Sequence, residues 1–169
     1  IFACSVLLKL VPLLLLPLFF GYFIYKKENA NNSEEYSKLG LAKLFGFYLI
    51  IGITVLLGFL PILSSAFVEN FMATISLWFQ NFEFNASFYY IVRWLGFQVK
   101  GYNIIETAGK VLPLVTIGVL TGLSLFRKNN SFEKLLTAML FGFTAYLFFS
   151  TTVDPWYLAT PLILSIFTT

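Results

Sequence analysis

The chain contains no histidine and a single cysteine, Cys4. The first absence removes the usual general base and any Ser-His-Asp arrangement. The second excludes an internal disulfide and a cysteine-cluster metal site. Charge is scarce too: 11% of the residues are Asp, Glu, Lys or Arg, against 59% that are hydrophobic. A soluble domain of 169 residues needs far more polar surface to cover its core. The net charge of +3 is too small and too scattered for a nucleic-acid surface. Mean hydropathy is +0.84, and aromatics reach 20%, a share that suits many positions at a membrane–water boundary. These values define a helical membrane protein.

Crossing the hydrocarbon takes about 20 apolar residues. The runs are 2–25 (interrupted by Lys9), 44–63, 104–126 with Glu106 and Lys110 near its start, 135–152, and 155–169, which is cut off. They predict an all-α, polytopic transmembrane bundle of about five spans in one membrane domain, 1–169. The sequence opens inside an apolar run, without initiator Met or signal-peptide pattern, and reads as an internal piece of a longer protein. Gly52, Gly58, Gly118, Gly122 and Gly142 fall inside the runs, where small residues suit close helix packing.

Lysine and arginine set the sidedness. Residues 26–43 carry Lys26, Lys27, Lys38 and Lys43, and 127–134 carry Arg127, Lys128 and Lys134. Such loops stay cytoplasmic, so 64–103 and 153–155 face outward. Within 64–103, Phe67, Phe71, Ile75, Trp78 or Phe79, and Phe82 recur at helical spacing, which predicts an amphipathic helix over 67–82 lying in the outer interface. Asn85 is placed to cap a second short helix through Trp94, with Arg93 near its C-terminal end. Capping boxes are expected at Asn103/Glu106 and Asn130/Glu133, and an N-cap at Asp154 before Pro155.

The unusual polar groups gather at that outer face. Lys9 lies sixteen residues before Tyr25, roughly 24 Å along a helix. Lys110 sits at similar depth, and Glu83, Asn85, Arg93 and Asp154 share the side. Both lysines open a Lys-x-x-Pro-Leu pattern, KLVPL and KVLPL, and a cation in a helix's first turns opposes the dipole. Two readings stand for each residue. Lys9 snorkels to the headgroups or holds a phosphate. Lys110 pairs with Glu106 or joins it. Asp154 caps a helix or serves the site. Glu83 and Arg93 pair with each other or contact substrate, and Trp156 and Tyr157 are boundary anchors or sugar platforms.

KLVPLLLLPLF at Lys9, NFEFNASFYYIVRWLG at Asn81, GYNIIETAGKVLPL at Gly101 and STTVDPWYLATPL at Ser150 resemble the multi-pass bacterial mannosyltransferases of the GT-C glycosyltransferase superfamily. These use a polyprenyl-phosphate-linked sugar. The resemblance runs through most of the chain in the right order, and it implies a C-terminal part of such an enzyme. It implies a lipid-linked donor in the outer leaflet of the plasma (inner) membrane and a glycan or glycolipid acceptor reached from outside. The expected substrate-binding set is Lys9, Glu83, Asn85, Arg93, Lys110, Asp154, Trp156 and Tyr157. Inverting transfer needs a base for the acceptor hydroxyl and a cation or divalent metal for the departing phosphate; which of the two serves here stays open. The family's catalytic acidic residue, its base, lies in its first outer loop, a region this sequence does not contain. The family's His before Pro-Trp-Tyr is replaced by Asp154, and a carboxylate cannot donate a proton at neutral pH as imidazolium does.

Two rival classes remain at this stage. A transporter or lipid flippase would place charges and helix breaks in mid-bilayer. A non-catalytic membrane subunit would use its polar groups only as caps and anchors.

Overall fold

The computed structural model describes residues 2–24 and 33–168, the side chains of 33–39 excepted. Every named element among them is helical. Eight α-helices follow one another: α1 (Phe2–Leu8), α2 (Phe19–Ile24), α3 (Ser33–Phe59), α4 (Ser65–Gln80), α5 (Phe88–Lys100), α6 (Ile105–Phe126), α7 (Phe132–Phe149) and α8 (Ala159–Ile166). Three 3-10 stretches, Val11–Leu18, Leu60–Ile62 and Pro155–Leu158, connect them.

Three of these segments are long and apolar enough to cross a membrane: Gly40–Ile62, Ile105–Phe126 and Phe132–Phe149. The expected first and fifth runs form shorter apolar pieces, Val11–Ile24 and Pro155–Ile166. Proline is the cause. Pro12 enters at the first turn of the 3-10 stretch and Pro17 lies inside it, and each removes a donor that a continuous α-helix would use. Run one therefore breaks after Leu8, with Lys9 at the break. The inner loop expected at 26–43 lies outside the described residues as far as Asn32, and from Ser33 onward it is already helix.

A 3-10 helix has three residues per turn, so side chains at i and i+3 eclipse. Leu15 and Leu18 share one such row and are buried with Leu120, Leu135, Ala138 and Met139 between α6 and α7. Val11 and Leu14 share the next row and line a groove. Close approach recurs at several glycines, Gly142 and Gly109 among them. A Cβ on Gly142 would meet Leu120 Cδ2 at 2.5 Å, and one on Gly109 would fall within the Phe79 carbonyl, where α4 lies along α6. Gly58 faces Leu7, whereas Gly52, Gly118 and Gly122 have open space beside them, so only part of the glycine set packs as expected.

Several caps differ from the sequence expectation. Helix α7 starts from Ser131, whose Oγ accepts from the Lys134 amide at 3.3 Å, while Asn130 Oδ1 accepts from Lys134 Nζ. Asn103 Oδ1 accepts from the Ile105 amide at 3.1 Å, but Glu106 turns to Lys110 instead of completing a box. Helix α4 is capped by Ser64, and from its ring stripe Phe71, Ile75 and Phe79 face the bundle rather than lipid alone. Helix α5 begins after Ser87 and runs on to Lys100, not Trp94. Arg93 is consequently mid-helix, and Lys100 takes the last turn. Asn85 does not cap it; its φ of 49° puts it in the left-handed region, which Asn tolerates better than most residues.

Candidate functional site

Glu83 is the centre of the polar cluster on 64–103, the segment expected to face outward. Its Oε1 pairs with Arg93 Nη1. Its Oε2 lies 2.5 Å from the Tyr89 hydroxyl and accepts from Asn103 Nδ2 at 3.3 Å. Tyr89 and Arg93 are four residues apart on α5, so one helix face delivers both donors. The Tyr89 hydroxyl also lies 2.8 Å from Asn103 Oδ1. It has one proton for two acceptors, and the ionised carboxylate is the stronger. Burial pushes the Glu83 carboxyl up, but hydrogen bonds from Tyr89, Asn103 and Arg93, with the guanidinium charge, outweigh it and hold the group below the usual carboxylate range. Tyr89 is fully buried; burial, then its bond to Glu83, raises its hydroxyl above the ordinary value. A carboxylate so thoroughly supplied with donors is a structural anion and a poor proton acceptor.

The same segment is clasped to the loop after α7. Phe84 and Thr152 form an isolated parallel bridge, with Phe84 N–H donating to Thr151 O at 3.1 Å and Val153 N–H to Phe84 O at 2.8 Å. Thr152 Oγ1 donates to Phe82 O, and Asn85 Nδ2 reaches Val153 O at 3.4 Å. Asn85 thus ties the outer segment to the residue preceding Asp154.

The remaining predicted residues fall into separate places. Lys9 Nζ sits 5.1 Å from the centre of the Tyr157 ring, a cation–π arrangement, and so joins run one to the Pro-Trp-Tyr element. Trp156 adjoins Tyr157 but is mostly exposed. Asp154 occupies the N-cap position before Pro155, yet its side chain makes no cap hydrogen bond; its backbone carbonyl accepts from Tyr157. Lys110 is taken by Glu106 at 2.7 Å in an exposed i,i+4 pair. The two Lys-x-x-Pro elements are therefore unlike: one stands at a helix break, the other inside continuous α6.

Two adjoining pockets lie beneath this face. One, of about 250 Å³, is lined by Thr74, Trp78, Tyr146, Ser150, Thr152 and Tyr157 among others. The second, of about 330 Å³, is apolar and runs between the Val11–Leu18 stretch, α4, α6 and α7, past Leu10, Leu14, Phe71, Pro113 and Ile117. Ile75, Phe79, Tyr146, Ser150 and Thr151 belong to both walls. Of this lining the sequence pointed to Tyr157 alone as a site residue, and to Phe71, Ile75, Trp78 and Phe79 only as the stripe of an interfacial helix. The Ser-Thr-Thr run at 150–152 was the available signal; Thr74 and Tyr146 had none, because only packing brings them there. Among the described residues no group of three or more His, Cys, Asp or Glu side chains gathers as a metal site would require.

Comparison of the chain with family models, curated proteins and solved structures gives no match.

Proposed function

We propose that the chain is part of a multi-pass GT-C-type glycosyltransferase. It would move a hexosyl group, mannosyl by the resemblance, from a polyprenyl-phosphate donor to a glycan or glycolipid acceptor at the outer face of the plasma (inner) membrane. One observation carries this reading: a hydroxyl- and ring-lined pocket shares a wall with an apolar groove. A lipid-linked sugar needs those two environments side by side, hydroxyls for the sugar and hydrocarbon for the chain.

In that reaction the acceptor oxygen bonds to the anomeric carbon as the carbon–oxygen bond to phosphate breaks, and the phosphate leaves with the polyprenyl chain. Lys9, beside Tyr157, would be the cation that receives that developing charge. Glu83 is held ionised by its donors and stiffens the outer segment instead of taking the acceptor proton. Asp154 makes no side-chain cap and remains the carboxylate nearest Tyr157 in sequence. By the resemblance, the proton acceptor would come from the family's first outer loop.

A transporter or flippase reading lacks comparable support. Of the charged side chains on α6, Glu106 and Lys110 lie in its first two turns and neutralise each other. The test is photo-labelling with a polyprenyl phosphate bearing a diazirine in its chain. Cross-links at Leu14 or Ile117, displaced by unlabelled polyprenyl phosphate, are the expected outcome. Labelling confined to the outward face of α3 would remove the groove as a donor site and the reading with it.

A further inference from the structure

Helix α5 packs Phe88 and Val92 on the cluster of Ala86, Tyr89, Ala108 and Leu112 and leaves a second apolar stripe outside. Tyr89 and Gly96 are buried, and Arg93 turns inward to Glu83. A Cβ on Gly96 would meet Ile104 Cγ1 at 2.6 Å, so this side lies flush against its neighbour. Ile91, Trp94, Leu95 and Val99 fall at i, i+3, i+4 and i+8, which is one stripe of an α-helix. All four are exposed, Trp94 by 61% and Val99 by 81%. The network behind the helix fixes its rotation. Turning the stripe inward would break the Glu83–Arg93 pair and expose Tyr89.

The position of α5 limits what can cover this stripe. Its first residue, Phe88, packs its ring against Phe148 and Phe149 at the end of α7. Its last turn leads through Gly101, with φ 77°, to the start of α6 at Ile105. Helices α6 and α7 are joined by residues 127–131 at their other ends and are both long and apolar enough to cross a membrane. Helix α5 therefore lies across the ends of two such helices. The 22 residues of α6 rise roughly 33 Å, close to the hydrocarbon thickness of about 30 Å, which puts α5 at the boundary level. Its composition matches that level. It carries Tyr90 and Trp94, Arg93 over the Tyr90 ring at 5.3 Å, Lys100 in the last turn and no acidic residue. Rings with a polar tip and cations beside anionic headgroups are what an interfacial helix presents.

We propose that α5 seats its Ile91–Trp94–Leu95–Val99 stripe in the headgroup–acyl boundary of the lipid bilayer, as a foot beside the bundle. This inference goes beyond sugar transfer and does not rest on it. Single cysteines at Ile91→Cys, Leu95→Cys and Val99→Cys, on a Cys4→Ser background, carry a nitroxide in the full chain. The protein is placed in vesicles of phosphatidylcholine and phosphatidylglycerol. All three sites are exposed, so the label displaces no core residue, and retained helical circular dichroism checks the fold. Oxygen, which concentrates in lipid, should relax the three labels several-fold more than a water-soluble nickel chelate does. A nickel effect exceeding the oxygen effect would mean an aqueous face and would overturn the proposal. Low access to both agents, with spin–spin broadening, would mean a second copy covers the stripe and would overturn it equally.

Discussion

The Tyr89 hydroxyl lies 2.5 Å from Glu83 Oε2 while Arg93 holds the other carboxylate oxygen. This arrangement has a pH signature with two edges. The folded Glu83 carboxyl is lowered, so its contribution is complete above the ordinary carboxyl value of about 4.3 and is lost as pH falls through the lower folded value. The folded Tyr89 hydroxyl is raised, so its contribution is complete below about 10 and is lost as pH rises through the higher folded value. Protection of the Phe84 and Val153 amides, meaning exchange corrected for its intrinsic pH dependence, should thus be high between those limits and fall on either side. Tyr89→Phe should cost about 1.5–3 kcal/mol, the range for a hydrogen bond to a charged group. Protection that stays constant from acid to alkali would show that the network does not hold the segment that carries Phe84.

Two glycines on α6 should respond oppositely to alanine. Gly109→Ala places a methyl within the Phe79 carbonyl and must push α4 off α6, lowering the unfolding temperature. Gly118 has nothing within contact range, so Gly118→Ala should gain up to about 1 kcal/mol from helix propensity. Thermal unfolding in detergent compares the pair, and equal effects would mean α4 does not rest on Gly109.

Asp154 separates its two readings on stability against activity. Because its carboxylate makes no cap hydrogen bond, Asp154→Asn and Asp154→Ala should each stay within about 0.5 kcal/mol of the parent. On the proposed reading, transfer from lipid-linked sugar by the complete enzyme should nevertheless fall in both. Loss of stability with retained transfer would return Asp154 to a purely structural role.

Lys9 and Lys110 should no longer behave as a pair. On the proposed reading, Lys9→Met in the complete enzyme should raise the donor concentration needed for half-maximal transfer by about ten- to hundredfold, the equivalent of one lost charge-assisted hydrogen bond. Lys110→Met removes an exposed i,i+4 pair worth about 0.3–0.5 kcal/mol and should leave donor use unchanged. Steady-state kinetics at limiting donor distinguish them.

Sidedness is testable at two described loops. With Cys4→Ser, an impermeant thiol reagent added outside should reach Asn81→Cys and not Asn130→Cys. The reverse pattern would invert the bundle.

The apolar runs at 44–63, 104–126 and 135–152 were legible because nothing in them competes with a continuous helix strongly enough to end it. Even Pro113 is accommodated within α6. Run one misled because its two prolines act together, and hydropathy does not register what proline does to backbone bonding. The Glu83–Arg93 pair was readable as one of two alternatives, and Tyr89 could have been found one turn before Arg93 on the same helix face. The clasp between Phe84 and Thr152 left no trace in either sequence. It is made by main-chain groups, which every residue but proline carries alike. For the same reason the pockets stayed hidden: Thr74 and Tyr146 come from helices whose approach is set by Gly109 and the core, not by any local pattern.

The Val11–Leu18 stretch has one more effect, and it is a matter of ruler marks. Each 3-10 residue advances about 2.0 Å where an α-helical residue advances 1.5 Å. Its eight residues with the six of α2 thus extend about 25 Å, the reach of roughly seventeen α-helical residues. Inserting one residue before Leu15 would turn Leu15 and Leu18 by a third of a turn, 120°, instead of 100°, off the row buried between α6 and α7. The stretch works as a coarse-toothed gear, and its leucines can engage only at whole teeth.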